Sequence, residues 1–486
     1  MNNSQAWPRS SGSSRCAVAP WCAAATTQKA IPVIPPIPRL PLRPRRLVTL
    51  ALRPWLALAV LLTGVALANQ GPATAAEPAA EPAAEEPLAP AADWPTLTSL
   101  LRLPDWVQLG LTIESDLLGN PGGGASRKGN WIQQTTLNAN FSSGFGKPVG
   151  QWQEADHWSA HLQLTQFSGT SGYGNSIGTA FPITATDHPI GLWLTEASVE
   201  RQGGNGTVDF KTGLFSLNPG FVEAPVLDAY VNSVFNNTLN LNVLGLPINP
   251  FIAPGVELHW RPGAAGQGAS QDLGPYGEWR YGAFLLNPQV NLASLFGVNP
   301  NQADVNGHLQ VVQWSFDRLP GSQSLQKPIQ RGGQSISRVL PKPLLQLGGG
   351  YLHDQTDHTN SPGLFGTLTV AAPTPLGLDN RFWIGLSDGI NTSTNPDPLF
   401  FSAGWMSQGV IPGRPLDVLA LGVGRSNFNP QTSAELTPES VFELNYSAAI
   451  NSTLTLQPFL NWVLNPGGGH NIGNVLALGL QVQLQF

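Results

Sequence analysis

Apolar and polar residues alternate along much of this chain, and the alternation is clearest at the carboxy end. Apolar side chains occupy every second position from Leu476 to Phe486, and small or polar residues lie between them. Period-two alternation predicts a strand with one apolar face. The pattern fills the ~9–11 residues that a strand needs to cross a bilayer, whereas strands of soluble proteins run ~5–6. The chain is therefore predicted to end in a membrane-spanning strand.

The same alternation recurs from residue 106 onward. Sixteen segments carry it, an even number and one large enough to leave an aqueous channel. The segments are 106–114, 131–140, 157–167, 192–201, 206–216, 255–262, 276–286, 308–317, 343–353, 365–372, 380–387, 399–410, 416–425, 439–448, 453–463 and 476–486. They predict an all-β fold, a sixteen-stranded antiparallel transmembrane β-barrel over residues 105–486.

Connection lengths support this count. The three tightest connections, 202–205, 411–415 and 450–452, all follow even-numbered strands, as expected if both chain termini are periplasmic. The longest uninterrupted connection on the opposite side, 217–254, follows the fifth strand and is the third external loop. We expect this loop to fold inward and narrow the channel, although connection 318–342 is longer than a periplasmic turn should be.

The amino-terminal part reads as an export region. Residues 1–68 hold eight basic residues and no acid, and they end in a short apolar run and the tripeptide Ala66-Leu67-Ala68. This pattern predicts a secretory signal with cleavage after Ala68, or alternatively after Ala75. A translation start near Leu47 would suit such a signal better than Met1. The Ala/Glu/Pro-rich residues 69–104 are expected to form a linker and a short periplasmic segment.

Charge and cysteine content narrow the function. Charged residues make up only 11% of the chain, which a lipid-facing outer wall explains. Removal of the export region leaves 16 basic against 30 acidic residues, a formal net charge of −14, so nucleic acid is not an expected partner. Because Cys16 and Cys22 both precede the cleavage site, the mature chain should have no thiol and no disulfide.

The chain also resembles the carbohydrate-selective porins of the OprB type, from about residue 105 to residue 486. The residues that carry the resemblance are Asp116-Leu117-Leu118-Gly119-Asn120, Gly122-Gly123-Gly124, Gly413-Arg414-Pro415-Leu416-Asp417, Leu421-Gly422-Val423-Gly424, Glu443, Tyr446, Thr455-Leu456-Gln457-Pro458, Asn465-Pro466-Gly467-Gly468 and the closing strand to Phe486. The resemblance implies a sixteen-stranded pore in bacterial outer-membrane lipid, often a homotrimer, that passes sugars, ions and other small hydrophilic solutes by diffusion. Phe459 and Gln481 depart from the family pattern, and these departures bear on sugar selectivity more than on the fold.

Candidate pore residues follow from the strand faces. Glu223 and Asp228 are the only charges in the third loop. With apolar faces outward, six charged residues face the lumen: Asp209, Lys211, Glu257, Arg261, Glu278 and Arg280. They either line a wet wall in mutual pairs, or form a constriction with acids on the loop and bases on the wall. Five aromatic residues are assigned to outward girdles: Trp193, Trp260, Trp279, Tyr446 and Trp462.

Motifs that suggest other chemistry are weak. Gly174–Gly178 matches the Gly-x-Ser-x-Gly pattern of hydrolases, but no helical pattern follows it. His157 and His161 are four residues apart, a spacing that pairs metal ligands on a helix but not on a strand. His353, Asp354, Asp357 and His358 crowd one predicted surface loop and could hold a divalent cation through oxygen ligands, but a solvated loop is the favoured interpretation. We therefore predict no catalytic residue, no metal site and no cofactor.

Three functions remain open. The leading hypothesis is an outer-membrane diffusion porin whose terminal Phe486 is the recognition signal for the barrel assembly machinery. The first alternative is an exported all-β carbohydrate-active enzyme with paired carboxylates. The second is a structural or surface barrel with a plugged lumen.

Overall fold

A computed structural model of the chain provides the coordinates. It describes residues 96–104, 106–142, 157–203, 206–218, 220–236, 248, 250–264, 273–286, 306–319, 329–331, 334–336, 340–390, 398–429, 436–451 and 453–486. The predicted export region and most of the linker lie outside these residues.

The described chain forms a closed antiparallel barrel of sixteen strands. These strands are β1 (Val107–Gly122), β2 (Gly129–Ser142), β3 (His157–Gly169), β4 (Gly191–Gly203), β5 (Val208–Phe215), β6 (Ala253–Trp260), β7 (Glu278–Leu286), β8 (Gly307–Phe316), β11 (Leu344–Asp354), β12 (Thr359–Ala371), β13 (Asp379–Gly389), β14 (Leu399–Gln408), β15 (Val418–Asn427), β16 (Glu439–Ala449), β17 (Leu454–Leu464) and β18 (Val475–Gln485). Each pairs with its neighbours in chain order, and β18 pairs with β1 to close the ring. The sixteen-stranded prediction is confirmed.

Small elements lie outside the barrel wall. Strands β9 (Ile329–Arg331) and β10 (Gln334–Ile336) form a two-stranded sheet in the long connection after β8. The helices are α1 (Leu97–Leu100), α2 (Tyr173–Ile177) and α3 (Ser233–Asn236), with 3-10 turns at Leu227–Ala229 and Pro466–Gly468. No helix among the described residues is long and apolar enough to cross a membrane.

Several strands are longer than the sequence pattern predicts, and β1 and β12 differ most. β1 continues to Gly122, and β12 begins at Thr359 and not at residue 365. Pro362, Gly363 and Gly366 interrupt the alternation of β12, so its first half does not read as a strand. Pairing with β11 along that half holds it extended nevertheless.

The faces of the strands follow the predicted alternation in most places. In β16, Phe442 and Leu444 are exposed on the outer face, whereas Glu443 between them is fully buried. Trp260, Trp279 and Trp462 also lie outward, with about half of each side chain exposed.

The prediction for Trp193 is wrong. This side chain is 0% exposed and packs against Phe167 and Phe251 on the inner side of the wall. The cause is a β-bulge: Gln163 pairs with Glu196, but Leu164 pairs with Leu194, so β4 carries one extra residue. An extra residue reverses which positions face inward on its two sides. The alternation of inward and outward residues in the second half of β4 therefore does not extend across the bulge to Trp193.

Candidate pore constriction

Six of the eight charged residues that the sequence singles out lie together on the inner wall of β5, β6 and β7. Arg261, directly after β6, joins two carboxylates, with its Nη2 2.6 Å from Asp209 Oδ2 and its Nε 2.6 Å from Glu278 Oε2. Arg280 also pairs with Glu278. Each acid is nearly or fully buried. A buried carboxylate is stable only when it is paired and hydrogen-bonded, and Arg261 and Arg280 meet that need here.

The neighbouring pairs extend this charged wall. Lys211 Nζ lies 2.8 Å from Glu196 Oε1, and His259 Nε2 lies 3.3 Å from Glu257 Oε2. Arg280 additionally donates to the Gly220 carbonyl of the connection between β5 and β6. The wall therefore contacts this connection through a main-chain group.

The connection between β5 and β6, residues 216–252, is called loop three below. Its two acids, Glu223 and Asp228, hydrogen-bond to each other. Burial raises the pKa of both carboxyls, and the proximity of Asp228 raises the pKa of Glu223 further, to about 8. The Asp228 side chain is exposed and the Glu223 side chain is partly buried, although protein atoms surround both carboxyls. No ion pair links them to Lys211, Arg261 or Arg280 in the described part of the chain, so the predicted arrangement of loop acids facing wall bases is not present as direct contacts.

Loop three also contacts the wall at β16 and β17. The main-chain amides of Val231 and Asn232 each donate to the carboxylate of Glu443, at 2.8 Å. The carbonyl of Ala229 accepts from the side-chain amides of Asn445 (3.0 Å) and Gln457 (2.9 Å). Glu443 is fully buried on the inner face of β16, so these bonds tie the middle of loop three to that wall.

Apolar packing supports the same contact. Tyr230 accepts a hydrogen bond from Trp383 Nε1 at 2.9 Å and packs against that ring and Phe235. Its hydroxyl donates to the carbonyl of Leu421 at 3.1 Å. A Cβ at Gly422 would lie only 2.7 Å from the Tyr230 ring, so the glycine of β15 leaves the space that the ring occupies.

A second connection, between β3 and β4, also packs against the inner wall. This segment, residues 170–190, is called loop two below. Its Thr184 and Thr186 hydroxyls donate to Asp116 of β1, and its Ala180 amide donates to Glu439 of β16 at 2.9 Å. Loops two and three also touch, because the Ala185 amide donates to the Val231 carbonyl at 3.0 Å.

Two titratable side chains stabilise loop two from within. Asp187 accepts the amides of Gly172 (2.6 Å) and Gly174 (3.1 Å), which oppose the effect of burial, although burial prevails and raises its pKa. Burial lowers the pKa of the neighbouring His188 to about 4, so its imidazole is neutral at neutral pH.

Sequence reasoning missed the three buried acids Asp116, Glu439 and Glu443 as loop contacts. The available signal was parity: an acid that alternates with Phe442 and Leu444 must face inward. In loop two, the apolar positions Phe181 and Ile183 also signalled burial.

The residues of the weak motifs make local hydrogen bonds. Ser176 of the Gly-x-Ser-x-Gly segment donates to the Tyr173 carbonyl at 2.7 Å, within helix α2. His161 Nδ1 lies 2.8 Å from Asn140 Oδ1, and His353 Nδ1 lies 2.8 Å from Asn360 Oδ1. The described ranges contain no group of three His, Cys, Asp or Glu side chains that could hold a metal ion.

Comparison with known proteins decides the family. The family model described as "Carbohydrate-selective porin, OprB family" matches residues 136–486. The chain belongs to this family. A search of curated proteins gives no match.

Solved structures of porins and of a channel are similar to this porin. OprB of Pseudomonas putida, solved at high pH, is 17% identical over 80% of this chain and 96% of its own, with a TM-score of 0.62. The anion-selective porin of Comamonas acidovorans is 9% identical over 78% of this chain and 99% of its own, with a TM-score of 0.45. The channel DcaP of Acinetobacter baumannii is 10% identical over 78% and 97%, with a TM-score of 0.43.

Family and barrel together define the general activity. The porin is a bacterial outer-membrane channel for passive diffusion of solutes. Both observations point to a channel and away from an enzyme.

Proposed function

We propose that this porin passes carbohydrates and other small hydrophilic solutes through a channel narrowed by loop three. The observation that carries the proposal is the bond pair from Val231 and Asn232 to Glu443. Loop three leaves the wall at β5, and β16 lies seven strands away in one direction around the barrel and nine in the other. Contacts between inner faces so far apart favour a loop that runs across the lumen.

The charged wall suits polar solutes. Its side chains are fixed by mutual ion pairs, so their remaining donors and acceptors have set positions. Hydroxyl groups of a sugar can replace water at such positions without moving the wall. On this view Asp209, Lys211, Glu257, Arg261, Glu278 and Arg280 line the wall beside the constriction, and Glu223 and Asp228 contribute charge from the loop.

The remaining features of the porin are proposed by analogy with its fold. Residues 1–68 direct export, residues 69–104 form a periplasmic linker, and the mature chain assembles as a homotrimer. Phe486 is proposed as the assembly signal, and its main chain already exchanges hydrogen bonds with Leu111, at 2.9 and 3.1 Å, where the barrel closes.

Conductance in a planar bilayer tests the proposal. We expect stable single-channel steps that a maltodextrin series reduces in a concentration-dependent manner. If the correctly folded barrel does not conduct, the alternative of a structural barrel with a plugged lumen is favoured. If the added sugar is chemically changed, the alternative of a carbohydrate-active enzyme is favoured. Steps that no sugar reduces would limit the porin to general solutes.

A further inference from the structure

The lipid-facing surface carries a groove at the end of the barrel opposite Phe486. The groove has a volume of about 510 Å³ and is lined by Gly119, Asn120, Pro121, Arg127, Lys128, Gly129 and Leu478. It lies where β1 and β2 meet loop one, the connection 123–128.

The floor of the groove lacks side chains for a structural reason. Gly119 pairs with Gly129 on one side and with Leu478 on the other. Two positions along the strands, Leu117 pairs with Trp131, and both side chains are about half exposed on the outer face. Because side chains alternate, Gly119 and Gly129 also occupy outward-facing positions. Two glycines thus replace two outward side chains and leave a notch in an otherwise apolar wall.

The two ends of the notch differ chemically. On the side toward the middle of the barrel lie the exposed apolar side chains of Leu117, Trp131 and Leu478. On the side toward the end of the barrel lie Arg127 and Lys128 of loop one, which are exposed and have no carboxylate partner among the described residues. Tryptophan in a membrane protein prefers the level of the lipid headgroups, which places the two cations at the depth of lipid phosphates.

We propose that this notch binds one phosphorylated membrane lipid. Arg127 and Lys128 hold the phosphate, and an acyl chain lies across Gly119 and Gly129 against Leu478 and Trp131. Charge complementarity favours this occupant, because two unpaired cations stand out on an acidic barrel. The proposal depends on the outer-membrane location and not on which solute the channel passes.

Native mass spectrometry of the detergent-purified porin tests the proposal. The probe is phosphatidic acid with two twelve-carbon chains, compared with diacylglycerol that carries the same chains. We expect one tightly retained phosphatidic acid per chain and no retained diacylglycerol. The double variant Arg127→Ala/Lys128→Ala should weaken binding at least about tenfold.

Two further variants separate the parts of the site. Gly129→Leu should fill the notch and release the lipid with both cations intact, and it should fold, because a Cβ there would meet only the Leu118 carbonyl oxygen, at 3.9 Å. Arg425→Ala, which removes an exposed cation elsewhere on the wall, is the matched control and should retain the lipid.

Three results would overturn the proposal. Equal binding by the wild type and Arg127→Ala/Lys128→Ala would exclude a phosphate site, and equal binding by Gly129→Leu would exclude the notch. Full competition by inorganic phosphate alone would reduce the site to one for free anions. Channel conductance, measured in parallel, reports separately on the proposed solute function.

Discussion

Buried carboxylates on the inner wall fall into two kinds, according to whether ion pairs or main-chain hydrogen bonds stabilise them. Asp209 and Glu278 are paired with arginines, whereas Glu443 accepts main-chain amides of loop three. The arginine pairs stabilise the wall itself. The second kind of carboxylate holds loop three in place. Loss of the Glu443 carboxylate should therefore disturb the loop more than the barrel.

Replacing Glu443 should therefore loosen loop three. Glu443→Ala leaves two buried amides without acceptors, at a cost of about 1–3 kcal/mol each. We expect a folded barrel with larger current fluctuations and frequent brief closures in single-channel records. Glu200→Gln is the matched control, since Glu200 faces His161 and not a loop. Records as quiet as those of the wild type would contradict the anchoring role.

The acid pair of loop three predicts a pH-dependent ion preference. Because the pKa of Glu223 lies at about 8, its carboxyl is mostly protonated at neutral pH. Cation preference should rise as the pH increases through about 8, when the Glu223 carboxyl loses its proton and becomes negatively charged. Since the folded-state pKa lies above the unfolded value of 4.5, the same titration lowers the free energy of unfolding with rising pH. Reversal potentials of the wild type and Glu223→Gln, measured across this range, check the effect, and an equal pH response in both would refute it.

At the scale of the strands, alternation predicts side-chain direction as long as no residue is inserted. β18 has no bulge in its pairing with β17, and its odd-numbered residues face inward, with Gln481 donating to Glu114 at 3.0 Å. β4 has one extra residue, and Trp193 consequently faces inward. A charge introduced into β18 is therefore a direct test of the face assignment.

Gln483→Lys should be tolerated, because it faces the lumen beside Glu114 in the strand register. Leu484→Lys places a charge on the lipid face, which costs up to ~2–4 kcal/mol depending on depth. Outer-membrane abundance of the heat-modifiable form measures the difference. Equal loss in both variants would contradict the face assignment, and greater loss in Gln483→Lys would mean that the faces are inverted.

Deletion of Phe486, or Phe486→Asp, should impair assembly. The deletion removes the last hydrogen-bonded contact between the chain end and β1, and the aspartate places a charge near lipid. Abundance in the outer membrane, compared with Gln483→Lys as the control, tests this expectation. Wild-type levels of both variants would contradict an assembly role for Phe486.

For the whole molecule, net charge predicts mild cation preference. The chain from residue 69 onward has a formal charge of −14, and the inner-wall cluster holds four carboxylates, including Glu196, against Lys211, Arg261 and Arg280. The bases are thus already neutralised by the wall. The reversal potential in a salt gradient should show a preference for cations, and this preference should weaken at higher salt concentration because screening acts over ~8–10 Å.

Neutralising Glu223 and Asp228 together should shift the reversal potential toward anion preference without abolishing conductance. Anion preference in the wild type would refute this account and leave the barrel unaffected.

The sequence predicts the barrel well because period two is a local property of each strand. The wall charges were found for the same reason, since parity places Asp209, Arg261 and Glu278 on one face. The bulge at Trp193 and the contacts of loop two could not be predicted, because both depend on which distant residues meet inside the closed ring. Asp116 and Thr184, for example, are joined only after loop two packs against β1.

The seam of the barrel has one further consequence, at the chain end. β1 begins before the level at which β18 ends, so the main-chain groups of Leu109 lie beyond Phe486, and no strand of the described residues pairs with them on that side. The Thr98 hydroxyl meets both groups, accepting from the Leu109 amide at 2.7 Å and donating to its carbonyl at 3.2 Å. A bare strand edge is a template on which another chain can add a strand. The Thr98 hydroxyl occupies both hydrogen-bonding groups of Leu109, so a strand that paired with this edge would first have to displace it.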